Sequence, residues 1–209
     1  ALWAVDWLWA SGEVPDLDWK PQSAPGADQK IITLPTGPAD ELETCSLFFS
    51  SAIHAARRRV WITSPYFVPD HAVQSALALA ALRQVDVRII LPASADHWLA
   101  WFARYTFLPS TDRLGIRLYL HEPGFMHQKV VLIDDEAAAV GTANLDSRSL
   151  RLNFEVMALV VDRSFAAQVE AMLERDLANS RRITEDEFAK RSFWFRLAAR
   201  SARLLDPIL

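Results

Sequence analysis

Residues 127–144 read HQKVVLIDDEAAAVGTAN, two short apolar runs with polar residues at both ends and between them. The runs, Lys129–Ile133 and Ala137–Val140, have the length and composition of buried strands. Three acidic residues separate them, which is typical of a turn at the surface. The stretch therefore predicts two neighbouring strands of a sheet, with chemically useful side chains where the strands begin and end.

Outward from this stretch, apolar runs alternate with helical patterns along the whole chain. Further strands are predicted at Lys30–Pro35, Val60–Thr63, Asp86–Leu91, Ile116–Leu120 and Glu155–Val161, and helices at 1–10, 40–58, 71–83, 95–107, 165–177 and 185–205. Asp40 is placed to cap the second helix, and the helix at 71–83 is apolar on nearly every face, which predicts burial. The alternation indicates an α/β fold with a mixed β-sheet covered by helices on both faces.

This pattern also predicts three parts of the chain. We expect a helix and linker at 1–28, a catalytic lobe at 29–180, and a basic amphipathic helix at 181–209. The sequence begins without Met inside a helical pattern. We therefore expect the chain to be part of a longer protein.

Composition and charge exclude several classes of protein. The 22 Lys and Arg against 26 Asp and Glu give a net charge of −4, which argues against a general nucleic-acid binder. The single Cys45 excludes a disulfide framework, and no run reaches the length of a membrane span. His54, His71, His97 and His121 lack the spacing of metal ligands, so no metal or other cofactor is expected.

His127 and Lys129 are the strongest candidates for catalysis. They are two residues apart at the start of a strand, so both side chains leave on the same face. A neutral imidazole can attack phosphorus or protonate a leaving oxygen near pH 7, and an ammonium neutralises the non-bridging oxygens. Asp134 ends the strand, where its carboxylate would anchor the neighbouring cation and backbone. The pattern predicts phosphoryl chemistry.

Polar residues after the next strand are suitable further contacts for a phosphodiester. Gly141, Thr142 and Asn144 offer a close backbone approach, a hydroxyl and an amide donor. Asn153 and Glu155 then share a face of the following strand. If the sheet brings Glu155 to the far nitrogen of the histidine, the carboxylate would fix its tautomer and stabilise the imidazolium.

A lone histidine at a strand start is usually structural, but the joint pattern H-x-K-x4-D-x6-G-x2-N requires five positions to coincide. This pattern resembles the HKD motif of the phospholipase D superfamily, with Thr142 where Ser is usual. Residues 6–13, 64–70 and 141–155 (DWLWASGE, SPYFVPD and GTANLDSRSLRLNFE) resemble the C-terminal half of bacterial cardiolipin synthases, which carries the second of two HKD motifs.

The resemblance implies a bilobed α/β enzyme with one motif in each lobe and both histidines in one active site. One histidine takes the phosphatidyl group and the other protonates the departing alcohol. The resemblance implies that His127 acts first as the general acid and then as the general base. It implies that Lys129 and Asn144 bind the phosphate together with Gly141 and Thr142. Glu155 would be the acidic partner of the motif histidine. The implied reaction joins two phosphatidylglycerols into cardiolipin without a cofactor.

The implied partners are the phospholipid substrate, an anionic membrane surface, and a second HKD lobe. That lobe would be the missing N-terminal one or a second copy of this chain, and no nucleic acid is expected. The implied location is the bacterial cell membrane, with this portion bound peripherally. Two alternatives use the same residues: a phospholipase D-like hydrolase in which water replaces the acceptor alcohol, and a non-catalytic lobe that binds anionic lipid.

Two further segments carry hypotheses about lipid. The aromatic segment 98–107 is either buried core or a lip that touches acyl chains, and Tyr66 and Phe67 either line the mouth of the site or form a turn. In the last helix, Arg196, Arg200 and Arg203 share one stripe and the bulky apolar residues are expected opposite. Residues 188–209 carry five cations and one acid, a local charge of +4. This helix either lies in an anionic lipid interface or only docks on the domain.

Overall fold

The computed structural model describes residues 2–18, 20, 25–94 and 96–204. Within these residues the strands are β1 (Lys30–Thr36), β2 (Arg59–Thr63), β3 (Phe67–Val68), β4 (Asp86–Pro92), β5 (Arg117–His121), β6 (Val130–Ile133), β7 (Ala137–Gly141), β8 (Leu145–Asp146), β9 (Glu155–Val161) and β10 (Ser180–Ile183). The α-helices are α1 (Leu2–Ser11), α2 (Thr44–Ala55), α3 (His71–Leu82), α4 (Trp98–Arg104), α5 (Leu108–Arg113), α6 (Ser147–Arg151), α7 (Arg163–Ala178), α8 (Glu185–Ala189) and α9 (Phe193–Leu204). A 3₁₀ turn at Tyr105–Phe107 joins α4 to α5.

Eight of these strands form one mixed sheet in the order β1-β9-β7-β6-β2-β4-β5-β10. The pairs β2–β4 and β4–β5 are parallel, and the other neighbours in this sheet are antiparallel. The short strands β3 and β8 form a separate parallel pair. The predicted mixed sheet is confirmed.

Both faces of the sheet are covered because its central strands are apolar on both sides. Val131 of β6 and Ile89 of β4 face one core, which also contains buried residues of α2, α3, α4 and α9. Leu132 and Ile90 face the other core, which is closed by Ala166, Val169 and Leu173 of α7. Helices therefore cover both faces, as the sequence predicts.

The second helix differs from its predicted bounds at both ends. Asp40 does not cap it: its carboxylate accepts a hydrogen bond from the Gly37 N–H at 3.2 Å, and the helix begins only at Thr44. The helix ends at Ala55 instead of Arg58 because the backbone N–H groups of residues 57–59 bind elsewhere. The cap prediction fails because a turn competes locally for the same carboxylate.

The C-terminal region is also divided more finely than predicted. Residues 180–183 form β10, which extends the sheet beside β5, so the sheet continues past the expected boundary at 180. The single helix expected at 185–205 is two helices, α8 and α9. The Ser192 hydroxyl accepts from the Phe195 N–H at 3.2 Å and starts the second one, as N-cap serines do. Position 205 lies outside the described residues.

Two other helical predictions need correction. The segment predicted as one helix at 95–107 is α4 followed by the 3₁₀ turn, and position 95 lies outside the described residues. The third helix is not buried on every face. Leu79 and Leu82 point into solvent, because α3 packs on the sheet and α2 from one side only.

Asp134 connects β6 to the start of β2. Its carboxylate accepts hydrogen bonds from the backbone N–H groups of Arg57, Arg58 and Arg59, at 3.0, 2.8 and 2.9 Å. The residue is buried and has a positive φ of 51°, a conformation that Asp tolerates better than most residues. Burial raises the pKa of this carboxyl, but the three backbone donors outweigh it and hold the pKa below its ordinary value.

Gly141, at the end of β7, is required by close packing. A Cβ atom there would lie 2.2 Å from the carbonyl oxygen of Val156 and 2.9 Å from the Cα of Met157, both in β9. Backbone atoms of a central strand cannot move away without breaking the ladder. The glycine therefore allows β7 and β9 to approach each other.

We predict that Asp134→Ala lowers the free energy of unfolding by about 2 kcal/mol, since it removes charge-assisted hydrogen bonds from three partly buried N–H groups. Because the folded-state pKa is depressed, this contribution is present above the unfolded value of about 4 and is lost as the pH falls through the folded value. Urea unfolding at neutral and acidic pH measures it. Asp134→Asn keeps one acceptor and should lose less; equal stability of all three proteins would contradict the prediction.

We predict that Gly141→Ala destabilises the fold by about 1–3 kcal/mol through overpacking against β9. Gly37→Ala is the matched control. Its new Cβ would meet only the ring of Phe154, at 2.9 Å, and that ring is exposed and free to turn. Thermal unfolding of both variants makes the comparison. Similar losses in the two would show that the contact with β9 is not what requires glycine.

Candidate active site

One edge of the sheet collects the predicted site residues. Thr63 at the end of β2 is paired with Val130 at the start of β6, and Val130 is also paired with Val140 near the end of β7. Gly141 is paired with Met157 near the start of β9. The segments before β6 and β9 and after β2 and β7 therefore meet at this edge, where His127, Lys129, Asn144 and Glu155 lie.

His127 and Lys129 are in contact. The Lys129 ammonium lies 2.9 Å from Nδ1 and 3.2 Å from Nε2 of the imidazole, and it also donates to the His127 carbonyl oxygen at 2.9 Å. His127 is exposed, and the ring of Phe125 lies 5.7 Å from it, centroid to centroid. Both residues precede β6, which begins at Val130 and not at the predicted Lys129. Their direct contact, and not a shared strand face, keeps the two side chains together, so a phosphate could meet both.

Lys129 is half-buried among acidic residues. Burial lowers the pKa of its ammonium, while the carboxylates of Glu155, Asp96 and Asp146 raise it in opposition. The net direction is downward. The acids therefore help to keep a cation at a partly desolvated position, where its interaction with a phosphate oxygen is stronger than in water.

Glu155 is buried at the start of β9, and its carboxylate accepts from the Ser149 hydroxyl at 2.8 Å and the Asn153 amide at 3.2 Å. In the described part of the chain the ring nitrogens of His127 hydrogen-bond with Lys129. The sheet thus brings the Glu155 carboxylate close enough to Lys129 to raise the pKa of its ammonium. Within the described residues the hydrogen bonds of Glu155 are to Ser149 and Asn153, and the predicted bond to His127 is not among them. Asn153 does share its face, as the spacing predicts.

Asp134 lies away from this cluster. Its strand separates it from His127 by seven residues, roughly 20 Å of extended chain, and its carboxylate is occupied by backbone N–H groups. We assign it a structural role. The expectation that it anchors the backbone describes its contacts, but it does not stand among groups that could touch a substrate.

Gly141 and Thr142 fasten β7 to β9. The Thr142 hydroxyl accepts from the Val156 N–H at 2.9 Å, and the Thr142 N–H donates to the Val156 carbonyl at 3.0 Å. The close backbone approach that Gly141 allows is therefore an approach to β9. Thr142 is exposed and its hydroxyl hydrogen remains available for an acceptor.

Asn144 is the residue of this turn that is best placed for a ligand. Its side-chain oxygen is buried and has no hydrogen-bond partner within the described residues. It lines a cavity of about 290 Å³ together with Tyr66, His97, Ala100, Asp146, Arg148 and Asn153. An unpaired buried acceptor is costly, so a ligand donor in this cavity would satisfy it.

Sequence reasoning missed Asp146 and Ser149. Asp146 is buried and accepts from the Ser149 N–H at 2.8 Å, which caps α6. Burial raises the pKa of Asp146, and the Ser149 N–H and the Asn144 side chain oppose it. The series Asp146-Ser147-Arg148-Ser149 was the available signal, because an Asp before a short polar run is typical of a helix start.

Tyr66 lines the cavity, which favours the mouth of the site over a simple turn. Its hydroxyl donates to Asp96 at 2.6 Å. Burial and this neighbouring carboxylate raise the pKa of the phenol. Of the aromatic segment 98–107, Tyr105 and Phe107 are buried core, whereas Trp98 is exposed. The core interpretation is therefore right for Tyr105 and Phe107, and a lip that touches acyl chains stays a hypothesis for Trp98.

The described residues contain no group of three or more His, Cys, Asp or Glu side chains placed to hold a metal ion. None of the helices in these ranges is long and apolar enough to cross a bilayer.

Relatives by sequence match nearly the whole chain. The family model described as cardiolipin synthase, PLD-like domain, matches residues 49–177. Cardiolipin synthase A of Pseudomonas putida is 52% identical over 206 residues, and that of Pseudomonas fluorescens is 53% identical over the same length. Each alignment covers 99% of this chain and 43% of the relative. The chain thus spans less than half the length of these curated relatives.

Solved structures share the fold at low sequence identity. Nuc from Salmonella typhimurium, a phospholipase D family member, superposes with a TM-score of 0.64 at 18% identity, covering 75% of this chain and 99% of that one. Phosphatidylserine synthase from Haemophilus influenzae gives 0.71 at 17% identity, covering 87% of this chain and 48% of the other. Because the family model matches residues 49–177, which include the candidate active site, the chain belongs to the family of cardiolipin synthase PLD-like domains.

Proposed function

We propose that this chain is one lobe of a phosphatidyltransferase that joins two phosphatidylglycerols into cardiolipin. The observation that carries the proposal is the contact between His127 and Lys129, 2.9 Å from Nδ1 to Nζ, at the edge of the sheet where the strands that carry the other candidate residues end. The name shared by the relatives that match 99% of the chain supports the choice of reaction.

In this reaction His127 would move one proton in each half. A histidine of a second lobe attacks the phosphorus of the first phosphatidylglycerol, forming an N–P bond and breaking the bond to the glycerol oxygen. The imidazolium of His127 donates its proton to that oxygen, and glycerol leaves. His127, now neutral, takes the proton from a hydroxyl of the second phosphatidylglycerol, whose oxygen attacks the phosphohistidine and releases the first histidine.

The neighbouring residues would hold the phosphate while this happens. Lys129 neutralises the non-bridging oxygens, where charge is present throughout and increases in the transition state. The Asn144 amide and the Thr142 hydroxyl are donors on the adjacent turn. Glu155, fixed by Ser149 and Asn153, supports Lys129 as a positioning residue and does not itself touch the phosphate.

The electrostatics of this edge support a requirement for a second lobe. Glu155, Asp96 and Asp146 surround Lys129 closely enough to influence its pKa. An incoming phosphodiester anion would therefore meet more carboxylates than ammonium groups. A second HKD motif, from the remainder of a longer chain or from a second copy of this one, would add a lysine and the missing histidine. The substrate and the surrounding anionic membrane would be the other partners, with this portion bound peripherally.

The main alternative is hydrolysis by the same residues. His127 is exposed, so water can reach the position that an acceptor alcohol would occupy. Transfer and hydrolysis then differ only in which hydroxyl loses its proton to His127. A single assay that separates cardiolipin from phosphatidic acid among the products distinguishes the two reactions, and a non-catalytic lobe would give neither.

We predict that His127→Ala, in a protein that carries both lobes, lowers cardiolipin formation from labelled phosphatidylglycerol at least about 10²-fold, because it removes the proton-transfer group. The melting temperature should change little, since the side chain is exposed. His54→Ala is the control, because the His54 side chain is exposed on α2 and its Nδ1 hydrogen-bonds to the Ser50 carbonyl of the same helix. Near-normal transfer by folded His127→Ala would overturn the assignment.

We also predict that the 209-residue chain is inactive as a monomer, since it contains one of the two required histidines. Lipid transfer should be measured over a range of protein concentrations alongside the molecular mass in solution. Activity that appears only with dimers would show that two copies complete the site. Robust turnover by a species shown to be monomeric would refute the two-lobe requirement.

A further inference from the structure

Helix α9 has two opposite apolar stripes, and only one of them packs on the domain. The inward stripe is Phe195, Ala199 and Ala202, spaced i, i+4 and i+7, and the two alanines are fully buried. The Phe195 ring lies 5.0–5.8 Å from the rings of Phe102, Tyr105 and Trp101, next to which α9 is docked. Small residues and one aromatic therefore attach the helix.

The outward stripe holds the bulky residues. Phe193, Leu197 and Leu204 lie at i, i+4 and i+11 with exposures of 64%, 44% and 82%, and Trp194 beside them is 75% exposed. The sequence predicts the bulky residues opposite the arginines, but Arg200, at i+7, lies within this same outward stripe. Large aromatic and aliphatic groups concentrated on one exposed helix face indicate a binding surface.

Trp98 is an exposed aromatic residue of the neighbouring helix α4. It is the first residue of α4, is 64% exposed, and contacts the Phe102 ring at 6.3 Å, which in turn contacts Phe195. The exposed tryptophan is thus linked to α9 by a continuous series of ring contacts. We refer to Trp98, Phe193, Trp194, Leu197 and Arg200 as the aromatic–arginine face.

The positive charges of this region are not neutralised within the described residues. The ion pairs found there do not include any cation between 188 and 204: Lys190, Arg191, Arg196, Arg200 or Arg203. Arg191 and Arg203 instead lie over the rings of Phe195 and Phe107, at 4.9 and 4.6 Å. An anionic surface is the complement of this charge.

We propose that the aromatic–arginine face docks on the interface of an anionic lipid bilayer. Tryptophan and phenylalanine favour the level of the lipid headgroups, and arginines beside them attract anionic lipid. The proposal deepens the proposed function, on which it rests for the choice of a phosphatidylglycerol-rich bilayer as the partner. A protein partner would be favoured by an apolar patch with its charges paired, whereas the five cations between 188 and 204 form no ion pair with a carboxylate of the described residues.

The position of the face relative to the catalytic edge fits a membrane substrate. Trp98 follows Asp96 by two residues, and the Asp96 carboxylate accepts from Tyr66, which lines the cavity beside the catalytic pair. Asp96 and His97, which directly precede Trp98, therefore connect the tryptophan to the mouth of the site. Docking by this face would bring that mouth close to the headgroups.

The charge of the face is tested with Arg200→Glu in the 209-residue chain. Binding is measured by co-sedimentation with vesicles of phosphatidylcholine containing phosphatidylglycerol, and with phosphatidylcholine alone. Each cation near an anionic surface strengthens binding roughly fivefold, so reversal should weaken binding to the anionic vesicles fivefold or more, and salt should reduce the difference. Arg175→Glu is the control, because Arg175 is exposed on α7, across the sheet from α9.

The apolar part is tested with Phe193→Ser combined with Trp194→Ser. We expect at least tenfold weaker binding to anionic vesicles at low and high salt, since both side chains insert. Leu79→Ser with Leu82→Ser removes comparable exposed apolar groups from α3 and should change nothing. Thermal unfolding confirms that each variant is folded.

Several outcomes would overturn the docking proposal. Unchanged vesicle binding by both face variants would do so, and so would equal losses in the control variants. Loss of a dimer in the face variants would show that a second copy covers the face. Vesicle binding needs no turnover, so the docking proposal can fail while cardiolipin synthesis is confirmed. Equally, vesicle binding can be confirmed while the lipid assay shows no cardiolipin synthesis.

Discussion

The Asp134 carboxylate accepts hydrogen bonds from three successive backbone N–H groups, and the arrangement of the candidate active site depends on this constraint. It ties the residue after β6 to the residues that enter β2, and the paired register of the two strands follows. At the other end, the Lys129 carbonyl accepts from the Gly141 N–H at 3.2 Å. A slip of one residue would turn Lys129 to the opposite face. The aspartate of the motif thus acts on the contact between His127 and Lys129 along the length of one strand.

A second fixed arrangement surrounds the ammonium of Lys129. Ser149 donates through its hydroxyl to Glu155 and through its backbone N–H to Asp146, so one residue orients two carboxylates. Those carboxylates oppose the effect of burial on the pKa of Lys129. The cation is consequently in place before any phosphate arrives, which is the arrangement that stabilises developing charge without reorganisation. The short helix α6 exists at this position because Asp146 caps it.

The parts of the structure that sequence predicts are those set by neighbours in the chain. The apolar runs at Val60–Thr63 and Lys129–Ile133 predict buried strands, which the structure has at Arg59–Thr63 and Val130–Ile133. The spacing of His127 and Lys129 predicts that they are neighbours, and their side chains are in contact. Contacts between distant residues could not be read in this way. The Tyr66–Asp96 bond spans 30 positions, and the need for glycine at 141 arises from β9, a strand that the motif does not contain. Asp40 failed as a cap because its carboxylate accepts from the Gly37 N–H in a local turn, and the helix begins only at Thr44.

Helix α9 shows why an amphipathic pattern alone does not decide which side faces the domain. Both of its apolar stripes have helical spacing, and hydrophobicity favours burying the bulkier one. The aromatic cluster of α4 decides otherwise, because Phe195 fits among three rings and the alanines at 199 and 202 let the helix axes approach. The bulky stripe is then left outside beside Arg200. Folding therefore depends on one side of this helix, and the chemistry of its surface is carried by the other, so the two can change independently.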